Sequence, residues 1–416
     1  MKKLIGTVAV AALLASAAFA EMNFGAYLNS SSAVVASDGK DIVAGVNNPW
    51  GGWRHSRFSF NWTGDEEKVG IILGVAADDS GIGAFTPNYM WAKPWDWLRV
   101  SLGAFSDNDT GLRSDLTYGS WGWLRPGNAV SWGEGITFSD VEGAGLRLQL
   151  YPVDGLQLAV LVPYESTFKA ADDIYNKMQI AAGYTIGDIG TIKLGWWGKS
   201  ETKKAAGYYY GDKAIADVLK DQSTFDASDP TTWIGKDGEF MSFDPTKITY
   251  NKNGSGGVKN EFDIAFDLTA IDGMFLTVGA KLTITDDSDN NDYLVALGWR
   301  YNFTDTFALF LDAAADFFGK SDHDPDAGAG VGINVGFTDS LNLDAEVRWL
   351  HKGKNGATAS KDGISFLVGL NYSVCSNGLI GLGFQGHYKT GGLAGLSAAA
   401  NEDFVWAVPL KLQVAF

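Results

Sequence analysis

Three tryptophans, Trp121, Trp123 and Trp132, lie among four charges, Arg113, Asp115, Arg125 and Glu134, in one turn-rich stretch of a 416-residue chain. Flat indole faces can stack on the apolar faces of ring-shaped solutes, and mixed charges nearby can orient dipoles. Tryptophan is also a burying residue that anchors a long loop against a wall. Histidine chemistry is sparse. The four histidines, His55, His323, His351 and His387, stand in no readable Ser-His-acid spacing, so no catalytic residue is predicted and an enzyme is not expected. Oxygen-rich clusters at Asp286, Asp287, Asp289 and Asp292, and at Asp322, Asp324 and Asp326 beside His323, lack the glycine and closing glutamate of a calcium loop. They are read as solvated loop tips, and no metal or cofactor is expected.

Further charges fall on alternate positions of apolar runs. Arg57, Lys68, Arg99, Arg147, Lys177 and Lys193 occupy one face of the N-terminal half with no acid among them. Glu261, Asp263, Asp267, Asp312, Asp316, Asp344 and Glu346 occupy the matching face of the C-terminal half, mixed with Lys281, Arg300, Arg348 and Lys411.

What positions these charges is strict alternation. Counting back from Phe416, the residues Val414, Leu412, Leu410, Val408, Trp406 and Phe404 share a face, while Ala415, Gln413, Lys411, Pro409 and Ala407 share the other. Side chains alternate across a strand, so each such run has one greasy face and one wet face. Eighteen strands are predicted near 23–30, 56–62, 68–77, 87–93, 97–105, 144–151, 155–163, 176–186, 189–198, 258–268, 273–284, 292–301, 306–317, 327–337, 340–351, 362–374, 378–389 and 403–416, with sixteen as the alternative count. Connections after even-numbered strands are short turns. Those after odd-numbered strands are longer, from seven residues (285–291) to fifty-nine (199–257). The last of these holds Tyr208, Tyr209 and Tyr210 and a predicted helix near Ala214–Asp221.

Composition narrows the class. Residues 1–20 read as a secretory signal peptide: Lys2 and Lys3, an apolar stretch to Ala15, and a small-x-small site at Ala18-Phe19-Ala20. Export would leave Glu21–Phe416, and losing the two lysines takes the formal charge from −17 to −19, too acidic for nucleic acid. One cysteine, Cys375, excludes an intrachain disulfide. No run after residue 20 approaches 18 apolar residues, so crossing by helix is not predicted. Fifty-two glycines and 13% aromatics suit alternating strands with aromatic girdles. No globular segment is read before the first strand, which argues against a plugged receptor or a secreted passenger.

On the signal peptide, the parity of turns and loops, the C-terminal alternation and the terminal Phe416, the chain resembles the bacterial outer-membrane porins. The resemblance implies an all-β, transmembrane, antiparallel up-and-down barrel with short periplasmic turns and long external loops. It also implies a third loop, here 106–143, folded into the lumen so that Arg113, Asp115, Trp121, Trp123, Arg125, Trp132 and Glu134 become constriction candidates. Function would be passive diffusion of small hydrophilic solutes, sugars or ions, through an aqueous bore. The implied partners are outer-membrane lipids, the barrel assembly machinery engaging the strand that ends at Phe416, and sister copies in a homotrimer. A surface adhesin acting through its loops is the alternative. In either case the opposed basic and acidic faces predict a field across the bore.

Overall fold

The computed structural model describes residues 21–47, 55–78, 81–106, 109–115, 136–139, 141–164, 174, 177–200, 207–210, 213–214, 248–251, 258–285, 288–389 and 404–415. Residues 1–20 and Phe416 lie outside them. Eighteen strands build one closed wall: β1 Glu21–Ser37, β2 His55–Thr63, β3 Val69–Asp78, β4 Gly81–Trp95, β5 Leu98–Phe105, β6 Gly143–Val153, β7 Leu156–Pro163, β8 Gln179–Ile186, β9 Gly190–Ser200, β10 Val258–Leu268, β11 Met274–Ile284, β12 Asp292–Thr304, β13 Phe307–Phe318, β14 Asp326–Gly336, β15 Leu341–Lys352, β16 Lys361–Cys375, β17 Gly378–Tyr388 and β18 Phe404–Ala415. Every neighbouring pair is antiparallel. Closure runs through β1, which pairs β2 on one edge (Tyr27↔Arg57) and β18 on the other (Tyr27↔Ala415). Closure satisfies the backbone polar groups that an open sheet would leave at its edges.

The pleat separates two chemistries. On β10, Phe262 and Ile264 are exposed while Glu261, Asp263 and Asp267 are buried; on β15, Val347 and Trp349 are exposed while Glu346 and Arg348 are buried. Apolar side chains thus cover the convex outer face and polar ones the concave inner face. Aromatic residues bracket the outer belt. At the short-turn end Trp95 stacks on Trp97 (centroids 5.3 Å apart), and Phe303 meets Tyr301 edge-on. At the long-loop end Tyr293, Phe317, Trp349, Tyr388 and Phe404 are exposed. Ten residues separate Tyr293 from Phe303; at about 3.4 Å per residue and a tilt of about 40°, the belt is about 26 Å tall, the hydrocarbon height of a transmembrane barrel.

Short turns close the even strands. Gly155 and Gly273 take positive φ (78° and 73°) there, and a Cβ would come within 2.8 Å of Thr185 O and 2.9 Å of Asn302 O respectively, so only glycine fits.

Three expectations are corrected. The loop predicted between 77 and 87 is a tight hairpin: β3 and β4 pair up to Asp78↔Gly81. Pro87 has no N–H for a ladder, so the register slips there, and Asn88 Oδ1 accepts the Gly74 N–H (3.0 Å) in its place. The sequence pattern breaks at that slip although the sheet continues. Second, β1 extends to Ser37 and pairs with a short strand, Ile42–Asn47, inside what reads as loop. Third, Ala214 lies in a small sheet of Gly207–Tyr210, Lys213–Ala214 and Ile248–Asn251 and does not begin a helix; residues 215–221 lie outside the described residues.

Candidate functional site

The inner face carries the chemistry. Register places Arg57, Arg99, Arg147 and Lys193 on it, together with Glu261, Asp263, Asp267, Asp312, Asp316, Asp344 and Glu346. Two basic residues assigned to the wall sit at strand ends instead. Lys68 precedes β3 and pairs with Glu66 in the turn (2.7 Å), where the ammonium holds the exposed Glu66 carboxyl below the usual carboxylate range. Lys177 precedes β8, in a turn where its N–H donates to Ile174 O (3.1 Å).

Residues 109–115, and 136–139 with 141–142, the two described legs of the segment between β5 and β6, lie against this face. They pair with each other at Ser114↔Phe138 and Asp115↔Thr137. Along the first leg, Gln157 Nε2 donates to Thr110 O (2.6 Å) and Lys193 Nζ donates to Arg113 O (2.7 Å). Leu112 packs with Tyr89, Phe105, Val141, Ala159, Leu161 and Ala181. Along the second, Ser139 N donates to Asp263 Oδ2 (3.1 Å), and Gln179 grips Glu142 through both its amide atoms (2.9 and 2.8 Å). Phe138 seats on Ala265, Ala296 and Ala314. Ser139 adopts φ 58°, a left-handed conformation that costs a non-glycine residue energy and is held here by its surroundings.

Small residues make these seats. A Cβ on Gly279 would lie 2.6 Å from the Phe138 ring, one on Gly183 2.6 Å from Leu112 Cδ2, and one on Gly195 3.0 Å from Ser139 Cα. Gly183, Gly195 and Gly279 read as unremarkable strand glycines in the sequence, as do the anchors Gln157 and Gln179.

The inner charges are largely paired. Lys193 Nζ lies 2.9 Å from Asp267 Oδ2, whose other oxygen accepts from Thr277 Oγ1 (2.7 Å). Lys281 bridges Glu261 (3.0 Å) and Asp263 (3.8 Å), and Arg348 bridges Asp312 (2.8 Å) and Glu346 (3.4 Å). Asp344 accepts from Asn334 Nδ2 and Asn371 Nδ2, both at 2.6 Å. Asp316 stands directly across from Asp326, which Lys352 neutralises (2.6 Å).

Arg147 is fully enclosed. Its guanidinium carbon lies 4.0 Å from the Phe105 ring centroid and 5.0 Å from that of Tyr89, with Asp109 at 3.7 Å. Arg99 lies 4.4 Å over Trp91. Cation–π contact of this kind strengthens once water is excluded.

The predicted aspartate cluster near His323 is dispersed. Asp322 pairs with Lys320 (3.0 Å), Asp326 with Lys352, and His323 stacks on Phe318 (centroids 3.7 Å apart). The tip is stitched to the next loop by Asp324 N to Lys354 O (2.7 Å) and Gly356 N to Asp322 O (3.0 Å); Asp322 and Asp324 remain exposed to solvent, as read, while Asp326 is buried. Trp121, Trp123, Arg125, Trp132, Glu134, Asp286 and Asp287 lie outside the described residues, as does the side chain of Asp115.

No protein-family model and no curated protein matches the chain. Among solved structures it is similar in fold to an anion-selective porin from Comamonas acidovorans (11% identity, covering 95% of this chain and 100% of that one, TM-score 0.49). It is similar also to OccAB4 of Acinetobacter baumannii (10%, 96% and 98%, 0.49) and to the outer membrane protein opdK of Pseudomonas aeruginosa (11%, 95% and 98%, 0.49). Likeness at this level carries no argument about function; the barrel rests on its own strand pairing.

Proposed function

We propose that this protein is an outer-membrane channel for passive diffusion of small hydrophilic solutes. The observation that carries the reading is the closed eighteen-strand wall with an apolar, aromatic-bracketed outer belt and a polar inner face. An exterior of that kind is stable against lipid, whereas in water it would be a very large exposed apolar patch. Eighteen strands enclose more space than their own side chains fill, which leaves room for water. Residues 1–20 are the export signal on this reading, and the short turns face the periplasm.

The segment between β5 and β6 lies inside the bore and narrows it. Support comes from the two legs, whose partners range from Tyr89 on β4 to Ala314 on β13, all on the inner face. The opposed charges still set a field across the remaining opening, tempered where Lys193 is neutralised by Asp267. Planar-bilayer recording of the purified protein tests the channel: steady conductance steps are expected, and their absence overturns it in favour of a closed barrel acting through its loops. Reversal potentials in a salt gradient test the field. Neutralising Arg99, Arg147 and Lys193 together is expected to shift selectivity toward cations, and unchanged selectivity overturns it.

A further inference from the structure

The space beside the first loop leg is open. Gly111 and Leu112 form one side of a cleft of about 530 Å³, and the turn after β6 with β7, β8 and β9 forms the rest. Clefts that hold small ligands measure about 300–1,000 Å³. Water reaches the walls: Gly111, Tyr151, Asp154 and Thr185 are exposed, and Gln157 and Thr191 are half-buried. A Cβ on Gly111 would meet no atom within 4 Å, so the ground next to the leg is clear.

Register sets out the polar groups. Gly183 on β8 stands between Gln157 on β7 and Lys193 on β9, and one pleat nearer the short turns Thr185 stands opposite Thr191. Neighbouring strands lie about 4.8 Å apart, so these groups recur at that interval across the floor. Each has capacity left. The Gln157 amide gives a proton to Thr110 O (2.6 Å), and its carbonyl oxygen takes none from a described residue. The Thr185 and Thr191 hydroxyls bond to each other (3.1 Å); whichever donates, the pair keeps one proton to give. Lys193 Nζ carries three protons, of which Arg113 O (2.7 Å) and Asp267 Oδ2 (2.9 Å) take two. Tyr151 Oη accepts from Gln149 Nε2 (3.3 Å) and retains its own proton. Leu112 and the Tyr151 ring add apolar surface.

We propose that Gln157, Thr185, Thr191 and Lys193, beneath the leg at Gly111 and Leu112, form a subsite for a neutral polyhydroxylated solute such as a sugar. A carboxylate only accepts and an ammonium only donates, whereas a hydroxyl does both. A wall that offers donors and acceptors in turn is used fully by hydroxyls alone. Asp267 already balances the Lys193 charge, and the exposed Asp154 at the rim turns anions away. The proposal rests on the channel reading, because the bore brings the solute to the cleft.

The test is sucrose added to the purified protein in a planar bilayer, with glutamate, arginine and a polyethylene glycol of matched mass as comparison solutes. Saturation-transfer nuclear magnetic resonance of sucrose with the detergent-solubilised protein runs beside it. Sucrose is expected to interrupt the current in a saturable way and to give a binding isotherm. The glycol, which fills space but has few protons to give, and the two charged solutes are expected to do neither. Thr185→Val and Thr191→Val keep shape and lose one hydroxyl each, and each is expected to weaken sucrose about fivefold, the loss of roughly one hydrogen bond. Two variants are used so that a folding failure in one leaves the other informative. A sucrose effect no greater than that of the glycol, sucrose affinity retained in both variants, or interruption by glutamate or arginine in preference to sucrose overturns the subsite. Conductance steps without a sucrose isotherm overturn the subsite and leave the channel standing; an isotherm without conductance steps overturns the channel and leaves the subsite standing.

Discussion

Ser114 Oγ donates to Asp267 Oδ2 at 2.9 Å, joining two positions 153 residues apart in sequence. The same carboxylate receives Lys193 and Thr277, so one side chain ties a loop, and through it β9, β10 and β11, into a single knot. Asp267→Ala is expected to leave the Lys193 ammonium without its ion-pair partner at a buried position. Breaking a buried pair in this way costs about 3–5 kcal/mol. Urea unfolding in detergent reads the loss, and Asp267→Asn, which keeps one acceptor oxygen, is expected to lose less. Equal stability of Asp267→Ala and the parent contradicts the knot.

Gly279 and Gly183 are seats for Phe138 and Leu112. Gly279→Val places carbon where the Phe138 ring now lies, and overpacking of this sort costs about 1–3 kcal/mol. The expected relief is movement of the loop leg off the wall, read as altered single-channel conductance with greater current noise. Phe138→Ala in the same background is expected to remove the clash and quieten the noise. If Gly279→Val leaves the recordings of the parent protein unchanged, the leg is not seated there.

Arg147 was expected to line the bore, and the structure encloses it between Phe105 and Tyr89. Its charge acts on the fold before it acts on ions. Arg147→Gln alone is expected to lower stability by about 2 kcal/mol or more through loss of desolvated cation–π contact and of the Asp109 pair. Its effect on reversal potential is expected to be smaller than that of Arg99→Gln. A larger selectivity shift from Arg147→Gln than from Arg99→Gln runs against this assignment.

Cys375 is exposed at the short turn between β16 and β17. On the proposed orientation, which sets the short turns on the periplasmic side, a bulky membrane-impermeant maleimide is expected to spare Cys375 in intact cells and to label it once the outer membrane is opened. Labelling of intact cells reverses the orientation.

Glu66 titrates below the usual carboxylate range because Lys68 stabilises its charged form. A depressed folded-state value means the pair contributes above the unfolded-state value and loses its contribution as pH falls through the folded one. Both groups are exposed and screened by salt, so the effect on stability is small. Nuclear magnetic resonance titration is expected to place the Glu66 midpoint below that of a free glutamate, and Lys68→Gln or molar salt to return it. An unshifted midpoint in low salt removes the pair.

Much of the fold is legible in the chain as written. Period-two alternation needs no tertiary information, because the pleat itself sends neighbours to opposite faces, and so all eighteen strands and both faces could be read from runs such as Phe262–Leu268 and Leu341–Trp349. Short turns were legible from their length and glycines. The pattern failed where a local device interrupts it: at Pro87, where a proline forces a slip that Asn88 repairs, and in the Ile42–Asn47 strand, whose only described partner is β1.

The inner wall was half legible. Alternation assigned its charges to a face, but a face is not a partner. That Lys193 meets Asp267, that Arg348 is shared by Asp312 and Glu346, and that Asp344 is held by two asparagines depend on register and on side-chain reach across strands. The enclosure of Arg147 depends on a loop lying over it. The chain alone determined two-faced strands, since that follows from periodicity along one strand at a time. Which inner groups meet each other and which face the bore was decided only by closing the sheet and laying residues 109–115, 136–139 and 141–142 across it, because those contacts join positions that no local period connects.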